Sequence, residues 1–219
     1  MAKLASAKKT AGRDDSPRSA LKRKAILEAA TEIFLKGGYL GTNMDEIAAL
    51  SEVSKQTVYK HFASKEALFI AVVGNMTDDT GNIVRNAVAE LDDGGDVAEY
   101  LRNYAYRQLT AVLTPHVMQL RRLVIGEVSR FPDLAKVLYE RGPMRAVAAL
   151  AALFEHLADR RLLVIEDPWA AASHFNWLIM ADPLNRAMLL GDAAIPKQAE
   201  LRRHAAEAVR IFLAAYGRK

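Results

Sequence analysis

Apolar residues recur at helical spacing along almost the whole of this chain. Most glycines and prolines fall between the periodic segments, while Gly74, Gly81, Gly126, Gly142-Pro143 and Pro183 fall inside them. Runs that alternate apolar and polar residues, as half-buried strands do, are missing. A chain written this way buries its apolar stripes by packing helix on helix, so an all-α fold is predicted. Helices are expected near 19–36, 43–50, 54–62, 64–91, 95–113, 115–130, 133–161, 167–190 and 196–216. The breaks "DDGGD", "LTP", "FPD", "VIEDP" and "GDAAIP" combine the residue types that stop and start helices. Gly142-Pro143 is expected to kink or split the helix that contains it.

With 51% hydrophobic residues over 219 positions, the chain can bury a core. It has no cysteine, which rules out disulfide frameworks and cysteine-based zinc sites. No apolar run approaches about 20 residues, the length that spans a bilayer. The N-terminal "MAKLASAKKTAGRDDSPRSALKRK" is basic but lacks the apolar stretch of a secretory signal, so a cytoplasmic location is expected. Charge is uneven. Residues 1–65 carry 12 Lys/Arg against 7 Asp/Glu, and the remainder carries 18 against 19. A basic surplus confined to one end points to a polyanionic partner there, or to a solvated tail.

The first third divides into short helices. Ile26, Ala29, Ala30, Ile33 and Phe34 mark one buried face, and Gly37 or Gly38 is expected to end that helix in a left-handed conformation. Thr42-Asn43-Met44-Asp45 has the shape of a capping box opening the second helix, with Thr42 as cap. Ser54 starts the third helix and Ser64 caps the fourth. Two short helices joined by a tight turn form a helix-turn-helix, whose second helix enters the DNA major groove. Ile47, Ala48, Val53, Val58 and Phe62 form the inward set, leaving Lys55, Gln56, Thr57, Tyr59, Lys60 and His61 outside. Gln pairs with adenine, Lys donates to guanine, and a Thr methyl meets a thymine methyl. Tyr, His and Lys donate to phosphates, as do helix N-termini at Thr42 and Ser64, the latter reinforced by Lys65. Arg13, Arg18, Lys22 and Arg23 could follow the backbone or enter a minor groove.

The stretch "AILEAATEIFLKGGYLGTNMDEIAALSEVSKQTVYKHFASKEALF" resembles the DNA-binding domain of TetR-family transcriptional regulators. The shared pieces are "F-x-x-x-G-Y/F" closing the first helix, a Thr followed by "I-A", then "V-S-x-x-T-x-Y-x-H-F" and "S-K-E-x-L". The family usually has Gly before the Val of the turn. Glu52 stands there in this chain, which calls for a left-handed or strained residue, or an altered turn. The resemblance implies an all-helical homodimer with a larger C-terminal domain for ligand and dimer contacts. It implies phosphate contacts from Thr42, Tyr59, His61 and Lys65, and base reading by Lys55, Gln56 and Thr57. The division expected is a disordered basic arm at 1–18, a helix-turn-helix domain at 19–65, and an effector-binding and dimerisation domain at 66–219.

The stretch "RLVIGEVSRFPDLAKVLYERGPMRAVAALAALFEHLADRRLL" is similar to the C-terminal domain of AefR-like members of that family. Around its start, Leu120, Leu123, Val124, Glu127, Val128 and Phe131 share a helical face. The Glu127 carboxylate then needs a partner, either an arginine (Arg102, Arg107 or Arg145) or a ligand. Arg122 is a similar candidate. "HFNWLIM" at 174–180 suits a pocket for a flat or greasy effector, and equally a core or a dimer seam. Tyr100, Tyr104 and Gln108 could face the same space. Tyr104, Met118, Glu127, Phe154 and Trp177 are the expected pocket lining. The stripe Leu201, Ala205, Ala208, Ile211, Phe212 and Ala215 makes the last two helices the expected dimer surface, or else closes a monomer core.

No catalytic pattern stands out. None of His61, His116, His156, His174 and His204 has a Glu three residues before it or another His four residues away. No metal or cofactor is expected. The predicted function is a DNA-binding regulator, a repressor by family default, binding a palindromic operator as a homodimer and released by a small molecule. The alternatives are a DNA-binding protein without an effector and an all-helical enzyme.

Overall fold

The structure is a computed structural model that describes residues 17–85 and 95–218. It is built from ten α-helices among the described residues: α1 (Pro17–Gly41), α2 (Met44–Leu50), α3 (Lys55–His61), α4 (Lys65–Arg85), α5 (Val97–Val112), α6 (Pro115–Gly126), α7 (Pro132–Tyr139), α8 (Arg145–Asp159), α9 (Pro168–Leu190) and α10 (Gln198–Tyr216). The all-helical expectation holds. Arg13 and the rest of the expected arm lie outside the described residues, except that Pro17 and Arg18 begin α1. The expected end of the fourth helix also lies outside them.

Local chemistry explains most helix ends. Gly38, at φ 68° and ψ −179°, breaks α1 near its end, a backbone geometry that glycine tolerates. Ser54 caps α3, accepting from the Thr57 amide at 3.1 Å, and Ser64 caps α4, accepting from the Ala67 amide at 3.0 Å. The α2 cap differs from expectation. Asn43 is the capping residue, accepting from the Asp45 amide at 2.9 Å. Thr42 is buried and its hydroxyl donates back to the Gly38 carbonyl at 2.7 Å, so it closes the preceding turn and forms no capping box. Gly142 and Pro143 lie in a single π-helical turn, Glu140–Met144, that joins α7 to α8. Such a turn absorbs the amide hydrogen bond that proline cannot make.

Two apolar cores result. The first gathers Ile26, Ala30 and Phe34 of α1, Ile47 of α2, Val58 of α3 and Leu68, Phe69 and Val72 of α4. It also takes in Leu120 and Val124 of α6 and Leu134 of α7. Phe34 and Phe69 stack at 4.6 Å, and Tyr39 packs on Phe69 at 5.3 Å and on Phe131 at 4.4 Å. The second core lies among α5, α8, α9 and α10, around Phe154, Phe175 and Phe212, with ring centroids 4.7–5.6 Å apart. The α10 stripe proposed for dimer contact belongs mainly here. Leu201, Ala205, Ala208 and Phe212 are buried within the chain, and only Ile211 and Ala215 of that stripe face outward. An α9 and an α5 partner leave no room for a second copy on that face.

Candidate nucleic-acid interface and ligand cavity

The turn between α2 and α3 is held by backbone bonds. The Val53 amide donates to the Ala48 carbonyl at 3.1 Å, and the Ser51 amide to the Ile47 carbonyl at 3.0 Å. Glu52 adopts φ 53°, the left-handed conformation anticipated for that position. Ile47, Ala48, Val58 and Phe62 are buried and Val53 is half-buried, so the two helices lock as expected. That register leaves Lys55, Gln56, Tyr59 and Lys60 exposed and Thr57 and His61 half-buried, along one outer face of α3.

The outer residues are not equally available. Gln56 projects from the first turn of α3. Thr57 shares a 2.8 Å hydroxyl–hydroxyl bond with Ser54. Lys55 Nζ sits 2.9 Å from Asp45 of α2, and that hydrogen bond holds its pKa above the ordinary lysine value. Lys65 Nζ donates to the Thr42 carbonyl at 2.7 Å and stands 4.7 Å from the Tyr39 ring centre. Burial there pushes the Lys65 pKa down. Lys65 therefore ties the α1–α2 connection to the start of α4. Arg23 of α1 lies 5.1 Å over the Phe62 ring, which sets the basic first turns of α1 beside α3.

The second site is a cavity of about 390 Å³ between the cores. Its walls come from α4 (Met76, Thr77, Thr80), α5 (Tyr104, Gln108), α6 (Val117, Leu120, Arg121), the π-turn with the start of α8, and α9 (Asn176, Trp177). Of the residues proposed as pocket lining, Tyr104 and Trp177 stand on its wall. Met118 and Phe154 are fully buried in the second core and do not line it. Glu127 does not line it either. The α6 helix ends at Gly126, and Glu127 caps it instead of continuing the apolar stripe. Its charge acts on Tyr39 and Lys65, beside the first core. Phe131, which precedes Pro132, is driven to φ −132°, so the chain turns before the predicted break. The arginines considered as partners go elsewhere: Arg102 to Asp96, and Arg145 to Asp78. Arg122 pairs with Asp192 and donates to the Ala187 carbonyl, clamping α6 to the end of α9.

Sequence reasoning passed over Arg121, Thr77 and Arg141 as wall residues. Arg121 follows Val117 by one helical turn, but its neighbour Arg122 is an equally charged candidate. Nothing in the sequence separates the one facing the cavity from the one facing Asp192.

Comparisons with known proteins agree with this architecture. Residues 26–72 match the description "Bacterial regulatory proteins, tetR family", and residues 99–218 match "AefR-like transcriptional repressor, C-terminal domain". The chain is 38% identical to a crystal structure assigned to a TetR-family transcriptional regulator from Mesorhizobium loti MAFF303099. That match covers 93% of this chain and 100% of the other, with a TM-score of 0.88. The Flavonoid-responsive Regulator FrrA is 28% identical over 91% of this chain and 99% of its own, with a TM-score of 0.73. HTH-type transcriptional regulator RutR of Escherichia coli (strain K12) is 46% identical over 70 residues, 32% of either chain. The chain thus matches about a third of that curated relative's length. A helix-turn-helix presenting α3, an all-helical C-terminal body and these whole-chain matches establish that the chain belongs to the TetR family of transcriptional regulators, with a C-terminal domain of the AefR-like group.

Proposed function

We propose that the protein is a transcriptional repressor that binds a palindromic operator as a homodimer and is released by a small-molecule effector. In this reading, residues 19–65 form the DNA-binding unit and residues 66–219 the effector and dimer unit. Lys55, Gln56 and Thr57 read bases, while Tyr59, Lys60 and His61 hold phosphates. Thr42 and Lys65 brace the helix start that meets the backbone. Two copies pair through outward faces of α9 and α10, where Trp169, Trp177 and Ile211 are exposed. The protein works in the cytoplasm, as a regulator rather than an enzyme.

One observation carries the effector half. Leu120 of α6 belongs to the DNA-domain core and also lines the cavity. The α4 helix does the same along its length, with Leu68, Phe69, Val72 and Val73 in that core and Met76, Thr77, Thr80 and Gly81 on the cavity wall. A ligand that shifts either helix shifts the seat of the reading head. Its leverage is its preference between two states, typically about 1–3 kcal/mol. FrrA, similar over most of the chain, is flavonoid-responsive, which supports a ligand-governed reading.

The test is selection of bound DNA from a random-sequence pool at a fixed salt concentration. An enriched palindrome with half-sites on one side of the duplex is expected. Failure of folded protein to enrich any palindrome overturns the operator reading.

A further inference from the structure

The cavity wall has an electrostatic demand that the described residues leave unmet. Among them, four buried side-chain atoms lack a hydrogen-bond partner: Tyr104 Oη, Gln108 Oε1, Arg121 Nε and Asn176 Nδ2. All four residues line this one cavity. Gln108 Nε2 donates to Asn176 Oδ1 at 2.7 Å, which uses one donor and one acceptor of the pair. One acceptor and one donor are left over in either orientation of the two amides.

The charges are one-sided as well. Three arginines line the space, Arg121, Arg141 and Arg145, and no carboxylate does among the described residues. Arg141 and Arg145 both reach Asp78 of α4, at 3.4 and 2.8 Å. Among the described residues no carboxylate pairs with Arg121, and burial pushes its pKa down. A guanidinium does not give up its proton near neutral pH, so this cation stays charged in an apolar wall. Such a group is stabilised by an anion with two oxygens, which its planar fork meets through two parallel hydrogen bonds. Apart from Thr77, Thr80 and the polar trio Tyr104, Gln108 and Asn176, the rest of the wall is mainly apolar, including Val112, Val117, Leu138 and Met180.

We infer that the effector is an amphipathic organic carboxylate, its anionic end on Arg121 and its apolar body against α5, α6 and α9. This rests on the effector reading above and adds its chemical class. Tyr104, Gln108 and Asn176 take further polar atoms of the same ligand. The cavity is within the roughly 300–1,000 Å³ usual for ligands of drug-like size.

The experiment titrates full-length protein with 2-naphthoate and octanoate, each against its uncharged primary amide, in phosphate-free buffer. Binding is followed by tryptophan fluorescence, since Trp177 stands at the cavity, and by release of the selected operator. Each carboxylate is expected to bind at least about tenfold more tightly than its amide. Arg121→Gln should remove that preference, lowering carboxylate affinity to about that of the matching amide. Arg121→Lys, which keeps the charge but loses the fork, should retain the order of preference at lower affinity. A second readout needs no ligand: Arg121→Met removes a half-buried charge whose Nε is buried without a partner among the described residues, so its melting temperature should rise above wild type, whereas a structural arginine would leave it lower. Amides that match the carboxylates, an Arg121→Gln preference equal to wild type, or no binding by any of the four up to millimolar concentration each overturn the assignment. Amides that bind equally and still release DNA leave the effector cavity standing and remove only its anionic guest. Compounds that bind without moving the operator equilibrium refute the effector reading itself.

Discussion

Lys55 Nζ lies 2.9 and 3.0 Å from the two carboxylate oxygens of Asp45, so the first residue of α3 is tied to the first turn of α2. Both side chains are more than half exposed, so the pair adds little to folding. Its consequence lies on the DNA side. An acid at a surface that meets phosphates repels them, and it occupies a lysine suited to guanine. Asp45→Asn is expected to fold normally and to bind the selected operator a few-fold more tightly, with the gain shrinking at high salt. Fluorescence anisotropy at two salt concentrations measures this. Weaker binding would show that Asp45 instead positions Lys55 for its contact.

Gln56 and Lys60 stand on the same exposed face of α3 and should fail differently. If Gln56 reads a base as proposed, Gln56→Ala costs about 1–3 kcal/mol and relaxes choice at one operator position. If Lys60 holds a phosphate as proposed, Lys60→Ala weakens all sequences alike and lowers the salt slope by about 1. Binding to a panel of single-base operator variants separates them. Two identical profiles across the panel would refute the division between readers and anchors.

Glu52 holds φ 53° in the turn that the family usually builds with glycine. An L residue loses roughly 1–2 kcal/mol in that conformation, while glycine brings a smaller entropic cost. Glu52→Gly should therefore stabilise the protein by on the order of 0.5–1 kcal/mol, raising Tm by a few degrees. Denaturant unfolding reads this directly. An unchanged or lower midpoint would mean that the Glu52 side chain makes up for its backbone.

The strained turn was visible in the sequence because one residue type stood where the pattern wants another. The helix-turn-helix was visible for a similar reason: periodicity, capping serines and outward polar residues coincide within 43–62. The cavity was less so. Tyr104 and Trp177 stand at the cavity, while Met118 and Phe154 lie in the core, since an apolar residue on an inward stripe reads the same beside a cavity as inside solid packing. Glu127 was misplaced because the helical stripe was run past Gly126, where the chain in fact turns ahead of Phe131-Pro132. Thr42 was misread as a cap because Asn43, one residue on, is an equally good one and has the extended backbone that capping requires. The α10 stripe was legible, but its partner was not: α5 and α9 cover it, and a stripe of small and apolar residues does not say what covers it.

Arg122 offers a pH test of how α6 is anchored. Its guanidinium hydrogen-bonds Asp192, and Gln119 Nε2 donates to the other carboxylate oxygen at 2.7 Å. These two bonds, the arginine's first, hold the Asp192 carboxyl below its ordinary value of 3.8. A depressed carboxylate stabilises the fold fully above its unfolded pKa and loses that contribution as pH falls through the folded one. The pair is about one-third exposed, so the effect is small, under about 1 kcal/mol. Asp192→Asn should therefore be slightly less stable than wild type at pH 7, and the gap should begin to close only below about pH 4. Because α6 also carries Arg121 and Leu120, loosening this clamp should weaken ligand-driven release of DNA more than it weakens DNA binding itself. Urea unfolding from pH 7 to pH 3, paired with operator release by 2-naphthoate at pH 7, checks both halves. A stability gap that stays constant across that range would show that Asp192 acts through packing rather than through its charge.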